Sequence, residues 1–329
     1  MKPNYEELRK TLSEDLKNIF IGENKKIKKP KFWLANIGAI LLAPSFGILG
    51  AAAIFAIQGD FSEFFLEPAY LYIPALTFIL GLGIVIFYII KWPIFVKKMR
   101  NLIPLDRYYL MALNAKTNEK ILSCSIDKEK YPSAYRLRNC LGVEKINNIW
   151  KSGLFLNIET EKHKISFGFE FYVDMGKMKG RHYLNYLQVT STENFVENDL
   201  IFYTKKHNYS DASLSEINLE SKEFNDEFNL YGLDQIEARK IMNPKVMKKI
   251  LDYFKNSEQA LPLLVVFKKT DIYMRLKTFK SEHSELIKMA DFKFSNNLTQ
   301  LESNIFDKVI SEVEDLNSVL DFLRISDFI

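Results

Sequence analysis

The side chains able to do chemistry in this chain are scattered. His163, His182, His207 and His283 lie far apart, and none stands three or four residues from another. Histidines that share a zinc ion usually come at such spacings, and Cys124 and Cys140, the only cysteines, have no ligand spacing either. No Gly-x-Ser-x-Gly, no phosphate-cradling glycine loop and no Gly-x-Gly-x-x-Gly occurs. Carboxylates are plentiful, with 41 Asp and Glu against 45 Lys and Arg, but no acid–base constellation stands out in the spacing. No catalytic, cofactor-binding or metal-ligating residue is therefore assigned, and no cofactor is expected.

One stretch concentrates polar residues with a definite job. In Leu219–Phe254, Asp234 precedes Glu237 by three, the arrangement that caps a helix starting at Gln235. Asn243-Pro244 opens a second helix, where the missing N–H of proline is harmless. Gly232 is expected to supply an unusual backbone angle. Glu237 and Arg239 are two apart on a helix and cannot face each other, so each must find its own partner. They suit a site near strand ends, but a cap or a salt bridge is the commoner fate of such residues, and a structural role is expected.

Leu219-Glu220-Ser221, Phe224, Phe228, Asp234, Glu237-Ala238-Arg239 and Pro244 together resemble the recognisable stretch of an uncharacterised bacterial two-span membrane family, the domain of unknown function DUF3137. The resemblance implies two membrane spans and a cytoplasmic region. It implies no activity, cofactor or substrate.

The elements that must position this stretch begin with two apolar runs, Trp33–Ile57 and Ala69–Ile90, neither of which holds a charged residue. About 20 apolar residues cross a bilayer core, so a transmembrane helical hairpin is predicted. Its link, Gln58–Pro68, carries Asp60, Glu63 and Glu67 and no cation. The first 31 residues carry nine Lys or Arg against five acids, and Lys91, Lys97, Lys98 and Arg100 follow the second run. Basic flanks stay inside, which puts both termini in the cytoplasm of a multi-pass protein of the cell membrane. Trp33, Tyr70, Tyr72 and Trp92 suit the headgroup level. Pro44 and Asn36 interrupt the first run, but neither run holds an ionisable group of the kind that marks an ion path, so the hairpin reads as an anchor. Ala39, Ala43, Gly47 and Ala51, spaced by four, let a helix approach closely. The second run is the plain partner; a protein partner or a second copy of the chain is the sharper alternative.

The expected organisation is a basic N-terminal segment (1–31) with an amphipathic helix over Tyr5–Phe20, the hairpin (32–92), and a cytoplasmic domain (93–329). The net charge of +4 is mostly local to the N-terminal segment, so no nucleic-acid partner is implied. Cysteines on the cytoplasmic side are expected to stay reduced.

The third segment reads as α+β, a mainly antiparallel sheet with packed helices. Gly153–Ile158, Lys164–Val173, His182–Thr190 and Asp199–Tyr203 are aromatic and β-branched, and several alternate. Leu263–Phe267 and Ile272–Leu276 read as a hairpin that extends the sheet. A helix with apolar residues at threes and fours is predicted from about Asn296 to Arg324; its broad stripe favours packing on its own domain over a coiled-coil seam. The leading expectation is a membrane-anchored binding or scaffolding protein. The alternatives are a membrane-associated enzyme acting on lipid or envelope precursors and a subunit of a larger membrane complex.

Overall fold

The computed structural model describes residues 5–20, 36–43, 47–48, 50, 57, 69–117, 120–127, 149–174, 180–205, 214–256, 261–277, 293–295, 297–326 and 328–329. The basic segment before the first apolar run, the acidic link Gln58–Pro68, Pro44, Ala51, residues 175–179, Cys140, His207 and His283 lie outside these residues. The chain divides into two compact units, Glu14–Ile103 and Met1–Ser13 with Pro104–Ile329.

In the first unit, α1 (Glu6–Phe20) passes in from the second and buries Leu16; Leu8 and Leu12 lie on the same stripe. The helix α2 (Ala69–Arg100) contains the second apolar run. Its portion Ala75–Arg100 has a mean hydropathy of 2.2 over its most apolar window and is long and apolar enough to cross a membrane. Ile79, Phe87 and Ile89 on it are each more than half exposed. Of the first run, residues 36–43 are helical. They approach α2 most closely at two glycines: a Cβ on Gly81 would stand 2.9 Å from the Gly38 carbonyl oxygen. Glycine at both positions is what lets the two backbones meet. The contact runs through Gly38; Ala39 and Ala43 are exposed, and among the described residues nothing lies within 4 Å of where a Gly47 Cβ would be.

The second unit is α+β. After the break at Pro104 comes α3 (Leu105–Lys116), then β1 (Ser123–Asp127), β2 (Ile149–Glu159), β3 (His163–Asp174), β4 (Gly180–Ser191), β5 (Leu200–Thr204) and the two-residue β6 (Ser215–Glu216). There follow α4 (Lys222–Glu227), β7 (Phe228–Gly232), α5 (Gln235–Ile241), α6 (Pro244–Asn256), β8 (Leu261–Lys268), β9 (Asp271–Lys277) and α7 (Leu298–Ile325). The strands form one antiparallel sheet in the order β1-β2-β3-β4-β9-β8-β5-β7-β6. The β8–β9 hairpin does not add to an edge. It sits in the middle and joins β4 to β5, so the two sequence-contiguous strand groups pair only through it.

Period-two alternation makes one face of this sheet continuous. Leu156, Phe167, Leu187, Met274, Val265, Phe202 and Leu230 follow one another in register across seven strands, and each is buried. Burying a side chain of this size favours folding by about 1.5–3 kcal/mol. The next row, on the opposite face, begins polar: Asn157, Ser166 and Gln188. Ser166 Oγ donates to Asn157 Oδ1 at 2.6 Å, Asn157 Nδ2 donates to Asp127 Oδ2 at 2.6 Å, and Gln188 Nε2 donates to Asp271 Oδ1 at 3.2 Å. Towards β5 the same face becomes apolar, with Tyr186, Ile201, Tyr203, Leu264, Val266 and Tyr273 forming a second buried cluster. Gly168 belongs to this face for steric reasons: a Cβ there would stand 2.5 Å from Phe155 Cβ and 3.1 Å from the Tyr186 hydroxyl.

The last helix starts where Asn297 Oδ1 accepts the amides of Thr299 and Gln300, and packs against α3 and α6. Leu301, Ile305, Val309, Val313, Leu316, Leu320 and Leu323 are all buried. Glu312 lies on the same helix, 2% exposed. It accepts a short hydrogen bond from the Tyr109 hydroxyl and pairs with Lys308 at 2.8 Å, so the buried carboxylate is doubly held.

Candidate functional site

The family-like stretch is a chain of local devices. Ser221 Oγ accepts from the Phe224 amide at 3.2 Å and caps α4. Asn225 closes the turn onto Leu219, its Nδ2 donating to the Leu219 carbonyl at 2.7 Å. Asp234 Oδ1 accepts from the amides of Ile236 and Glu237 at 2.7 and 3.2 Å, satisfying two orphan donors at the start of α5. Asn243 Oδ1 does the same for Lys245 and Val246, both at 3.1 Å, just before Pro244 opens α6.

Gly232 departs from the sequence-based expectation. Its φ is not in the left-handed region; a Cβ there would sit 3.1 Å from Ile217 Cδ1 and from Leu200 Cδ1. Space, not backbone angle, asks for glycine.

Glu237 and Arg239 diverge. Glu237 reaches the 197–198 loop, Oε1 accepting from the Glu197 amide at 2.6 Å and Oε2 from the Asn198 amide and Nδ2 at 3.1 and 3.0 Å. Arg239 pairs with Glu220 at 3.3 Å and donates to the Asn218 carbonyl at 3.2 Å. Two residues of the stretch, Glu220 and Arg239, thus hold each other, with side chains 66% and 45% exposed.

From this stretch a run of phenylalanines leads across the sheet. Phe224 and Phe228 lie 4.9 Å apart and both contact Phe202. Phe228 meets Phe254 on α6, Phe254 meets Phe322 on α7, Phe322 meets Phe328, and Phe328 meets Phe267 on β8 at 4.8 Å.

The run ends at a cavity of about 170 Å³ at the α5–α6 junction. Phe195, Phe267 and Phe328 line it with Ile241 and Val246, but polar atoms make up more of its surface than apolar ones. Three polar residues complete the lining. Asn243 is engaged as the α6 cap, its Nδ2 also donating to the Lys240 carbonyl at 3.3 Å. Lys240 is exposed, which puts it at the mouth; among the described residues no carboxylate pairs with it. Ser326, just past the end of α7, is 1% exposed, and its Oγ has no hydrogen-bond partner among the described residues. A buried hydroxyl without a hydrogen-bonding partner costs free energy, and this oxygen has almost no accessible surface, so it does not open onto the cavity. Neither Glu237 nor Arg239 lines the cavity.

His163 stacks on the wall residue Phe195, rings nearly parallel at 6.1 Å. His182 lies on β4, and its side chain is outside the described residues. Among the described residues no group of three His, Cys, Asp or Glu is placed to hold a metal. Burial, with Asp106 nearby, pushes the Cys124 thiol up to about 12. Burial and the hydrogen bond with Tyr231 push Tyr203 likewise to about 12. A thiol held protonated in this way is a poor nucleophile.

The cavity's walls come from sequence positions 195, 240–246, 267 and 326–328. No motif or periodicity links them, so spacing alone carries no signal for them; Ser326 in particular reads as an ordinary residue after a helix.

Residues 184–323 match the family DUF3137, described as a protein of unknown function. No curated protein and no solved structure matches the chain.

Proposed function

We propose that this chain, whose residues 184–323 match the DUF3137 family model, is a membrane-anchored binding protein whose C-terminal α+β unit presents a small ligand site on the cytoplasmic side. The observation that carries the reading is the contrast between the two units. One holds a helix whose large apolar side chains are exposed along its length; the other is an ordinary packed sheet with a cavity. An exposed surface of Leu, Ile and Phe is stable only against lipid or another protein. The second membrane pass, with an external acidic link and both termini in the cytoplasm, rests on the charge pattern of the flanks and on the Gly38–Gly81 approach, which suits two helices packed within a bilayer.

The test is extraction. Membranes from cells producing the full chain are washed at alkaline carbonate pH and sedimented; the protein is expected in the pellet and in the detergent extract. Recovery in the carbonate supernatant would contradict anchoring.

A second reading is a self-associating or complex-forming anchor. Ala39, Ala43 and Gly47 favour it, because the close approach to α2 uses Gly38 and, among the described residues, Ala39 and Ala43 are exposed and nothing packs on Gly47.

A further inference from the structure

We infer that Leu233 and Ile236, at the start of α5, dip into the headgroup layer of an anionic bilayer while the lysines of α5 and α6 meet its lipid phosphates. The inference rests on reading the chain as membrane-anchored and adds a second, reversible contact with the same lipid surface.

Exposure comes first. Among the described residues outside α2 and the first apolar run, Ile236 at 67% and Leu233 at 61% are the most exposed large apolar side chains. They stand on either side of the Asp234 cap, three residues apart. An apolar residue just before a helix cap often folds back onto the first turn and is covered there. Leu233 is not covered. Ile236 lies two residues from the buried Ala238 and so on the other side of α5. Both side chains would gain from leaving water.

Charge comes second. Lys240 follows Ile236 by four and shares its face of α5, and Lys245 and Lys248, three apart on α6, are exposed as well. Between Leu233 and Ile250 five Lys or Arg stand against two acids. Both acids accept from backbone amides, Asp234 at the start of α5 and Glu237 in the 197–198 loop. Of the neighbouring acids, Glu220 holds Arg239, and Glu197 accepts from the Asn194 side chain at 3.2 Å. The stretch keeps a surplus of positive charge beside its two exposed apolar groups.

That combination selects the occupant. Apolar side chains flanked by lysines suit a membrane interface, where the apolar groups reach the boundary of headgroup and acyl chain and the ammonium groups stay among the phosphates. A purely acidic partner would leave Leu233 and Ile236 in water, and a purely apolar one would bury the lysines. Anionic lipid accommodates both. Only Asn101–Pro104 separate α2 from α3, so the anchor keeps lipid at high effective concentration around the C-terminal unit, and a weak contact suffices.

The experiment uses the full chain with Cys124→Ser and Cys140→Ser, carrying the environment-sensitive fluorophore NBD on Ile236→Cys or, in a parallel sample, on Lys162→Cys. Each is placed in nanodiscs of phosphatidylcholine and in nanodiscs of phosphatidylcholine mixed with phosphatidylglycerol. The probe at position 236 is expected to shift its emission to the blue in the mixed discs and to be quenched there by doxyl-labelled lipid. The probe at position 162 is expected to do neither. Lys240→Gln together with Lys248→Gln should return the emission at 236 to its value in phosphatidylcholine, and raised salt should do the same. All four positions are exposed, and urea midpoints check that each variant keeps the fold. A probe at 236 that doxyl-lipid does not quench in the mixed discs, or quenches no more than the probe at 162, would overturn the inference. A blue shift at 236 in both kinds of disc without quenching by doxyl-lipid would mark contact with protein and overturn it too. In each of these results the chain stays with the discs and the anchored reading stands; separation of the chain from the discs would overturn both.

Discussion

Asp234, Glu237 and Arg239 sit within six residues of one another, yet their surroundings give them unequal weight. Asp234 satisfies two helix amides that have no other partner, so Asp234→Ala is expected to lower stability by about 1 kcal/mol. Glu237→Ala strips a charged acceptor from three donors of the 197–198 loop and is expected to cost about 1.5–3 kcal/mol. Arg239→Ala is expected to cost less than about 1 kcal/mol. A guanidinium left unpaired in the interior would be expensive, but this one and Glu220 are both substantially exposed, and exposed pairs contribute little. Urea midpoints of the three variants check the ranking. An Arg239 variant less stable than the Glu237 variant would contradict it.

Cys124 carries a prediction in pH. Its folded thiol is pushed up to about 12 from an ordinary 9.0, chiefly by burial. Because the folded value lies above the unfolded one, the stability this group contributes is complete below about pH 9 and is lost as pH rises towards 12. In a Cys140→Ser background, iodoacetamide at pH 8 is expected to spare Cys124 in the folded chain and to modify it once urea unfolds the domain. Rapid modification of the folded chain would show that the half-buried thiol is not held protonated.

Among the elements, those with strong periodicity were legible in the sequence and those defined by pairing were not. The helices starting at Gln235 and Pro244 and the one from Leu298 carry their own caps, and the strands from Ile149 to Ser191 carry their own alternation. The sequence offers no such cue for β1, Ser-Cys-Ser-Ile-Asp, a polar edge strand that exists because β2 pairs with it. Nor does it for β7, five residues between a helix turn and a cap, whose partners β5 and β6 lie apart in the chain. The central place of the β8–β9 hairpin is a tertiary choice, since each strand has one buried face whether it lies at an edge or inside. At this scale Gly168 is the sharpest test. Phe155 and Tyr186 close over it from both neighbouring strands, so Gly168→Ala is expected to destabilise the domain by about 1–3 kcal/mol through overpacking. Chemical denaturation measures this directly, and an unchanged or raised midpoint would mean that β2 and β4 are not packed as described.

At the scale of the whole molecule, the candidate site was only half legible. The stretch from Leu219 to Pro244 stands out by its caps, but the cavity beside it forms where Phe195, Phe267 and Ser326 converge through the sheet and the last helix. That site is proposed to lie on the cytoplasmic side of a bilayer, so sidedness is the property to measure. The most direct measurement places single cysteines in a Cys124→Ser, Cys140→Ser background and treats intact cells with a membrane-impermeant maleimide. Ser62→Cys, in the acidic link, is expected to react in intact cells. Lys162→Cys, on the exposed turn between β2 and β3, is expected to react only after the membrane is opened. The opposite pattern, with Lys162→Cys labelled from outside and Ser62→Cys protected until lysis, would contradict the account.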